Sequence, residues 1–139
     1  MTTIIISSGD TIISSGVTSS GNYVTAGDEL VYSGGVAISN IIVDVHQYVF
    51  SGGVTSGSYL LDYSEEDVFA GGIAVNTHIQ QSDLEIGSGA VASGAILGGD
   101  GSMVIHAGAI GSNTVVNFDP YFYTVEGFST GTVIDSGGN

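Results

Sequence analysis

The 139-residue chain has no lysine and no arginine against 14 aspartates and glutamates, a formal charge of −14 at neutral pH. DNA, RNA, heparin and anionic lipid headgroups are bound by cationic side chains that displace counterions, so nucleic acid and anionic membranes are excluded as partners. The same absence removes a Walker-type phosphate lysine, a Schiff-base lysine and the basic catalyst of a polysaccharide lyase. Any chemistry must run on carboxylates, hydroxyls, three histidines and the backbone. Cysteine is missing and proline occurs once, so there is no disulfide framework and no cysteine pattern from which to read a redox compartment. Long apolar runs are missing too. Met1-Thr2-Thr3-Ile4-Ile5-Ile6 has no basic flank and only three consecutive apolar residues, unlike a signal peptide, and no segment approaches the ~18 apolar residues of a membrane span. An export signal is absent from this chain.

What is present is enough for a core. Hydrophobic residues make up 42% of the chain and mean hydropathy is +0.39, so a charged fraction of 10% does not signal disorder, and a single folded domain is expected. The 23 glycines are periodic. Taking the glycine before a small hydrophobic residue as anchor gives Gly16, Gly35, Gly53, Gly72, Gly89, Gly108 and Gly127, at spacings of 19, 18, 19, 17, 19 and 19. One residue later stand Val17, Val36, Val54, Ile73, Ala90, Ala109 and Phe128, and seven later Tyr23, Ile42, Leu60, Ile79, Ile96, Val115 and Ile134. Three before the anchor are Ile13, Tyr32, Phe50, Phe69, Ile86 and Ile105; four after it are Ser20, Ser39, Gly57, Asn76, Ser93, Ser112 and Gly131. The first three columns are apolar and the fourth is small or turn-forming, which predicts short strands of about 4–6 residues separated by Gly, Ser or Asn turns.

No unit offers the uninterrupted 10–12 residues of 3.6-period pattern that a helix needs, and β-branched residues and glycine dominate. A repeat of this length predicts an all-β, parallel β-helix (β-solenoid) of about six to seven coils of 17–19 residues, its apolar columns stacked inside and consecutive coils pairing as parallel strands roughly 4.8 Å apart. The pairs Gly34-Gly35, Gly52-Gly53 and Gly71-Gly72 are expected at corners requiring positive φ or close backbone approach. The expected division is residues 1–117 as solenoid repeats and 118–139 as an aromatic-rich last coil or cap. Val133-Ile134-Asp135-Ser136-Gly137-Gly138 looks like the opening of a further coil, so the chain reads as stopping in mid-repeat and Gly138 competes with Gly127 as an anchor.

The segments Val31-Tyr32-Ser33-Gly34-Gly35-Val36-Ala37, Val49-Phe50-Ser51-Gly52-Gly53-Val54-Thr55 and Val68-Phe69-Ala70-Gly71-Gly72-Ile73-Ala74 resemble the passenger repeats of AIDA-type autotransporter adhesins, antigen 43 and TibA relatives among them. The resemblance covers about residues 4–117. It implies a right-handed β-helix at a bacterial cell surface or outside the cell, working in adhesion, self-association or biofilm formation. It also implies O-glycosylation of repeat Ser and Thr with heptose by a dedicated glycosyltransferase, with Ser33 and Ser51 as example acceptors. A complete autotransporter also has a C-terminal translocator barrel, which this chain lacks.

Candidate sites divide by column. His46, His78 and His106 fall in three different columns, which argues for surface or turn histidines rather than a zinc or catalytic cluster. Ser-His-Asp catalysis is disfavoured because no G-x-S-x-G elbow occurs. Asp44 and Asp62 share one offset from their anchors, Glu66 and Asp83 another, with Glu65, Asp67 and Glu85 alongside. Stacked like charges without Lys or Arg read either as a solvated acidic face or as ligands for Ca²⁺, which takes 6–8 oxygens. Gly98-Gly99-Asp100-Gly101-Ser102-Met103 starts like a calcium nonapeptide, but Met103 stands where Asp is required. A glycosidase needs two carboxylates at a set spacing in a cleft, and short coils lack the loops that build one, so the chain is read as not an enzyme. Phe118, Tyr121, Phe122, Tyr123 and Phe128, beside Pro120, read as a plug over an open coil edge or as a sugar- or partner-binding platform built on Tyr121, Tyr123 and Phe128. The functional expectation is a non-catalytic adhesive surface module, with self-association or surface glycans and proteins as partners; the alternative is an extracellular carbohydrate-binding or carbohydrate-active β-helix.

Overall fold

The computed structural model describes residues 5–117 and 122–134. Among these residues there are 22 short strands and no helix, arranged as three parallel sheets of eight, seven and seven strands. Each coil gives one strand to each sheet in turn. In mid-rod these are Tyr59–Leu61 in sheet A, Glu65–Val68 in sheet B and Ile73–Val75 in sheet C. The result is the expected β-solenoid, with about seven turns. The coil at Gly127 is part of it, since Phe128–Thr130 pairs with Ile110–Ser112.

Strand pairing corrects the register of the expected columns. Val36, Val54 and Ile73 align with Thr18 on one side and with Val91 and Ile110 on the other, not with Val17, Ala90 and Ala109. Three of the aligned units had therefore slipped by one residue. The reason is local: in a Gly-Gly corner the first glycine takes positive φ (Gly34, Gly52 and Gly71, at 76°, 76° and 79°), and where the second glycine is replaced by Val17, Ala90 or Ala109 only the first remains to anchor on. The second glycine has a packing role. A Cβ on Gly35 or Gly53 would lie 2.4 Å from a carbonyl oxygen of the neighbouring coil, and one on Gly72 2.6 Å away.

With register restored, the inner columns are Ile13, Val31, Val49, Val68, Ile86 and Ile105 in sheet B, and Val24, Ile42, Leu60, Ile79, Leu97 and Val116 in sheet A, all buried. Sheet C contributes smaller residues, Ala37, Thr55, Ala74 and Ala92, which let the three walls close on one another. Tyr32, Phe50, Phe69 and Ile73, expected inside, lie on the outside. The turn column moves in the same way. Gly21, Ser39, Gly57, Asn76, Gly94, Asn113 and Gly131 occupy the corner after sheet C, with φ between 52° and 72°. That left-handed region admits Gly and Asn readily and most other residues at a cost, so one backbone requirement explains the composition of the column.

The corrected register makes a prediction that the uncorrected columns do not. Leu97→Ala empties an inner position and should cost about 2–5 kcal/mol, whereas Ile73→Ala, at an outer position, should cost under about 1 kcal/mol; urea unfolding of the two variants is the check. Equal losses would show that the inner and outer positions are wrongly assigned.

Candidate functional site

The chemistry of the rod concentrates on sheet B. In Glu65–Val68 and Asp83–Ile86 alternate residues face out, so Glu65 stacks on Asp83 and Asp67 on Glu85 while Glu66 turns inward. Carboxylate oxygens of Glu65, Asp67 and Glu85 all lie within 4.8 Å of one another, which makes these three the residues on this face able to hold a cation together. Partial burial, then the charge of Asp67, pushes the Glu65 carboxyl above the usual range; partial burial, then Glu85, does the same to Asp67. His46 sits between Asp28 and Glu65, its Nδ1 3.7 Å from the first and its Nε2 3.4 Å from the second. His106 lies between Glu85, 3.2 Å from Nε2, and Glu126, 3.8 Å from Nδ1. Two of the three histidines thus occupy the places a lysine or arginine would take. The third, His78, stacks on Tyr59 at 4.4 Å on sheet A, so the three do not converge.

Beside the carboxylates runs an aromatic ladder. Tyr32, Phe50 and Phe69 stack with centroids 4.7 and 5.2 Å apart, and Tyr48 leans on Phe50 and Phe69 at 6.3 and 6.2 Å. Neighbouring rings cover each other's faces, so the ladder shows solvent mainly edges. It tightens coil-to-coil pairing, each ring pair adding about 0.5–1.5 kcal/mol.

A second set of acidic groups lies inside. One inward position of sheet B reads Thr11, Glu29, Gln47, Glu66, Leu84, Met103 and Tyr123 along the rod. Glu29 accepts hydrogen bonds from Gln47 Nε2 at 2.5 Å and Asn40 Nδ2 at 2.7 Å. Glu66 accepts them from Thr55 Oγ1 at 2.5 Å and Thr77 Oγ1 at 2.8 Å. Burial raises both carboxyls, against the lowering effect of those donors, and takes Glu66 to about 7. Glu29 was not singled out in the sequence, although the alternation of Glu29-Leu30-Val31, read in register with Gln47 and Glu66, carries the signal.

Of the two expected carboxylate pairs, the structure stacks Asp44 with Asp62 and separates Glu66 from Asp83. Asp44 and Asp62 follow the paired residues Val43 and Leu61 and share one exposed corner column. Glu66 stacks on Leu84 rather than Asp83 and is fully buried, and Asp83 belongs to the outer face of sheet B with Glu65. The one-residue slip in the unit anchored at Gly89 is what had aligned Glu66 with Asp83. The expected aromatic platform divides as well. Tyr121 lies outside the described residues; Tyr123 is inward, its hydroxyl hydrogen-bonded with Ser129 Oγ at 2.8 Å and Thr132 Oγ1 at 3.1 Å; Phe128 is exposed on sheet C.

The fold and this face define an acidic parallel β-solenoid with aromatic and carboxylate ladders on one wall. No family model and no curated protein matches the chain. Among solved structures it is similar to a TibC-catalysed hyper-glycosylated fragment of TibA, at 23% identity and a TM-score of 0.66; the match covers 97% of this chain and 61% of that one.

The buried Glu66 sets a pH dependence. Its folded-state carboxyl titrates near 7 and the unfolded one near 4.5, so between these values the folded chain holds a proton that the unfolded chain has released. Stability is therefore full below about pH 4.5 and falls as pH rises towards 7, by about 3 kcal/mol. Urea midpoints measured from pH 4 to 8 should decline over this window, and Glu66→Gln should flatten most of the decline. A variant with the wild-type slope would show that Glu66 does not carry it.

Proposed function

We propose that the chain is part of the passenger of an autotransporter-like adhesin, exposed at a bacterial surface, where it acts by adhesion and self-association rather than catalysis. The observation that carries this reading is the match of a TibA fragment along 97% of the chain, together with the Gly-Gly corner repeats. The acidic wall of sheet B supports it: two such walls repel at low ionic strength and approach when salt or protonation screens them, which makes association conditional. One outer column of sheet C, reading Ser20, Ile38, Ser56, Val75, Ser93, Ser112 and Thr130, offers mostly neutral hydrogen-bonding contacts between rods.

Glycosylation belongs to the same reading. The TibA fragment is hyper-glycosylated by TibC. In this chain Ser15, Ser33, Ser51 and Ser88 are exposed at the corner before sheet C, each beside the positive-φ glycine of the next coil carrying that corner. These four are the acceptors we assign to a glycosyltransferase of that kind, extending the two examples taken from the resemblance.

Cells displaying the chain through a translocator barrel should sediment faster than cells displaying the barrel alone, and the purified chain should gain mass in sedimentation equilibrium on going from low salt to 0.5–1 M salt or to about pH 5. A chain that stays monomeric throughout, on cells that neither aggregate nor attach, would remove this reading. Co-expression with a heptosyltransferase should add mass in heptose steps, and replacing the four serines with alanine should remove most of it.

A further inference from the structure

The coils are not equal in length, and the difference falls at one corner. Between sheets A and B two residues suffice at Asp44-Val45 and at Gln81-Ser82. The coil between these two carries three there, Asp62-Tyr63-Ser64, and the coil after Gln81-Ser82 again carries three, Gly99-Asp100-Gly101. Two lengthened corners thus flank a short one, about two strand spacings or roughly 10 Å apart. The space between them is a notch of about 410 Å³ lined by Tyr63, Gln81, Ser82, Asp83 and Asp100. That volume lies in the lower part of the roughly 300–1,000 Å³ typical of small-molecule sites.

The notch is built under backbone constraint. Tyr63 has φ of 67°, rare for an aromatic residue, and Asp62, Gln81 and Asp100 are also left-handed at 52°, 51° and 59°. Tyr63 N donates to Gln81 O at 2.7 Å and Gln81 N to Gly99 O at 2.8 Å, so the three corners are tied to one another. The Tyr63 side chain gains no core burial in return: the residue is 82% exposed and, unlike the ladder rings of sheet B, it stacks on no other ring among the described residues. Most of its ring is therefore open to solvent. Asp83 is fixed by a hydrogen bond from Ser102 Oγ to its Oδ1.

An exposed aromatic ring, two carboxylates and a primary amide lining one notch match the surface of a pyranose, whose apolar C–H face packs on an aromatic ring while its hydroxyls donate to carboxylates and exchange hydrogen bonds with an amide. The charge of the notch selects further. With Asp83 and Asp100 in its wall and no lysine or arginine anywhere in the chain, it repels uronates and sialates and favours neutral or amine-bearing sugars. We propose that this notch binds one pyranose ring of a neutral or amino-sugar glycan. The proposal does not rest on self-association, because the notch is complete within one chain.

The test is saturation-transfer NMR and calorimetry on the purified, monomeric chain with glucose, galactose, mannose, N-acetylglucosamine, glucosamine, glucuronate and N-acetylneuraminate. At least one neutral or amino sugar should bind with a Kd of about 1–10 mM, typical of a single ring, and the two acidic sugars should not. Tyr63→Gly removes the ring yet suits φ of 67°, so it should weaken binding by roughly tenfold or more with the melting temperature unchanged or raised. Asp100→Asn keeps a residue tolerant of its backbone angle and should weaken binding by roughly fivefold. No binding by any neutral or amino sugar, tighter binding of an acidic one, or unchanged affinity in Tyr63→Gly would each overturn the proposal. Sedimentation of the same variants reads self-association separately, so the two readings fail independently.

Discussion

Hydrogen bonds between coils, rather than within them, hold this rod together, and they run from each strand to the strand three places on in sequence. Because the pairing is parallel and in register, every paired strand residue stands over its counterpart one coil away. That constraint makes columns. An apolar residue facing in must be followed by another, and a corner that needs positive φ needs it in each coil, as at Gly57, Asn76 and Gly94. Chains without Lys or Arg feel it most, since acidic positions recur above one another and histidine is the one nitrogen-bearing ring left to place between them.

The protein meets that electrostatic demand in two ways. Outside, Glu65, Asp67 and Glu85 share a half-exposed wall where His46 and His106 bridge neighbouring acids and solvent screens the remainder. Inside, screening is unavailable, and Glu29 and Glu66 are held by Asn40, Gln47, Thr55 and Thr77 instead. The first arrangement keeps the surface responsive to salt; the second ties the fold to proton occupancy.

The fold class was legible because three apolar columns and a recurring glycine leave few architectures besides a stacked coil. The facing of individual side chains was not. Period-2 alternation assigns inward and outward correctly only when register is known, and a single glycine cannot say whether it is the first or second of a corner pair. Gly89 followed by Ala90 looks like Gly35 followed by Val36, yet Gly89 has positive φ and corresponds to Gly34. That one-residue ambiguity placed Phe50 and Phe69 inside, paired Glu66 with Asp83, and hid both the aromatic ladder and the buried carboxylates. The extra residue at Tyr63 was visible only as a spacing of 19 rather than 18, with nothing to say at which corner it falls.

The buried polar column also distinguishes one coil from the next. Most inner positions repeat as Val, Ile, Leu or Ala, so a stack displaced by one coil would still find apolar partners almost everywhere. Two inner positions depart from this: the corner before sheet A, which reads Asn22, Asn40, Ser58, Thr77, Ala95 and Thr114, and the sheet B position reading Glu29, Gln47, Glu66, Leu84 and Met103, where, moved along by one, Glu66 would take the place of Leu84, away from the hydroxyls of Thr55 and Thr77. A mis-threaded chain therefore loses its hydrogen-bonded carboxylates, and two glutamates act as a numbering system for coils that are otherwise nearly interchangeable.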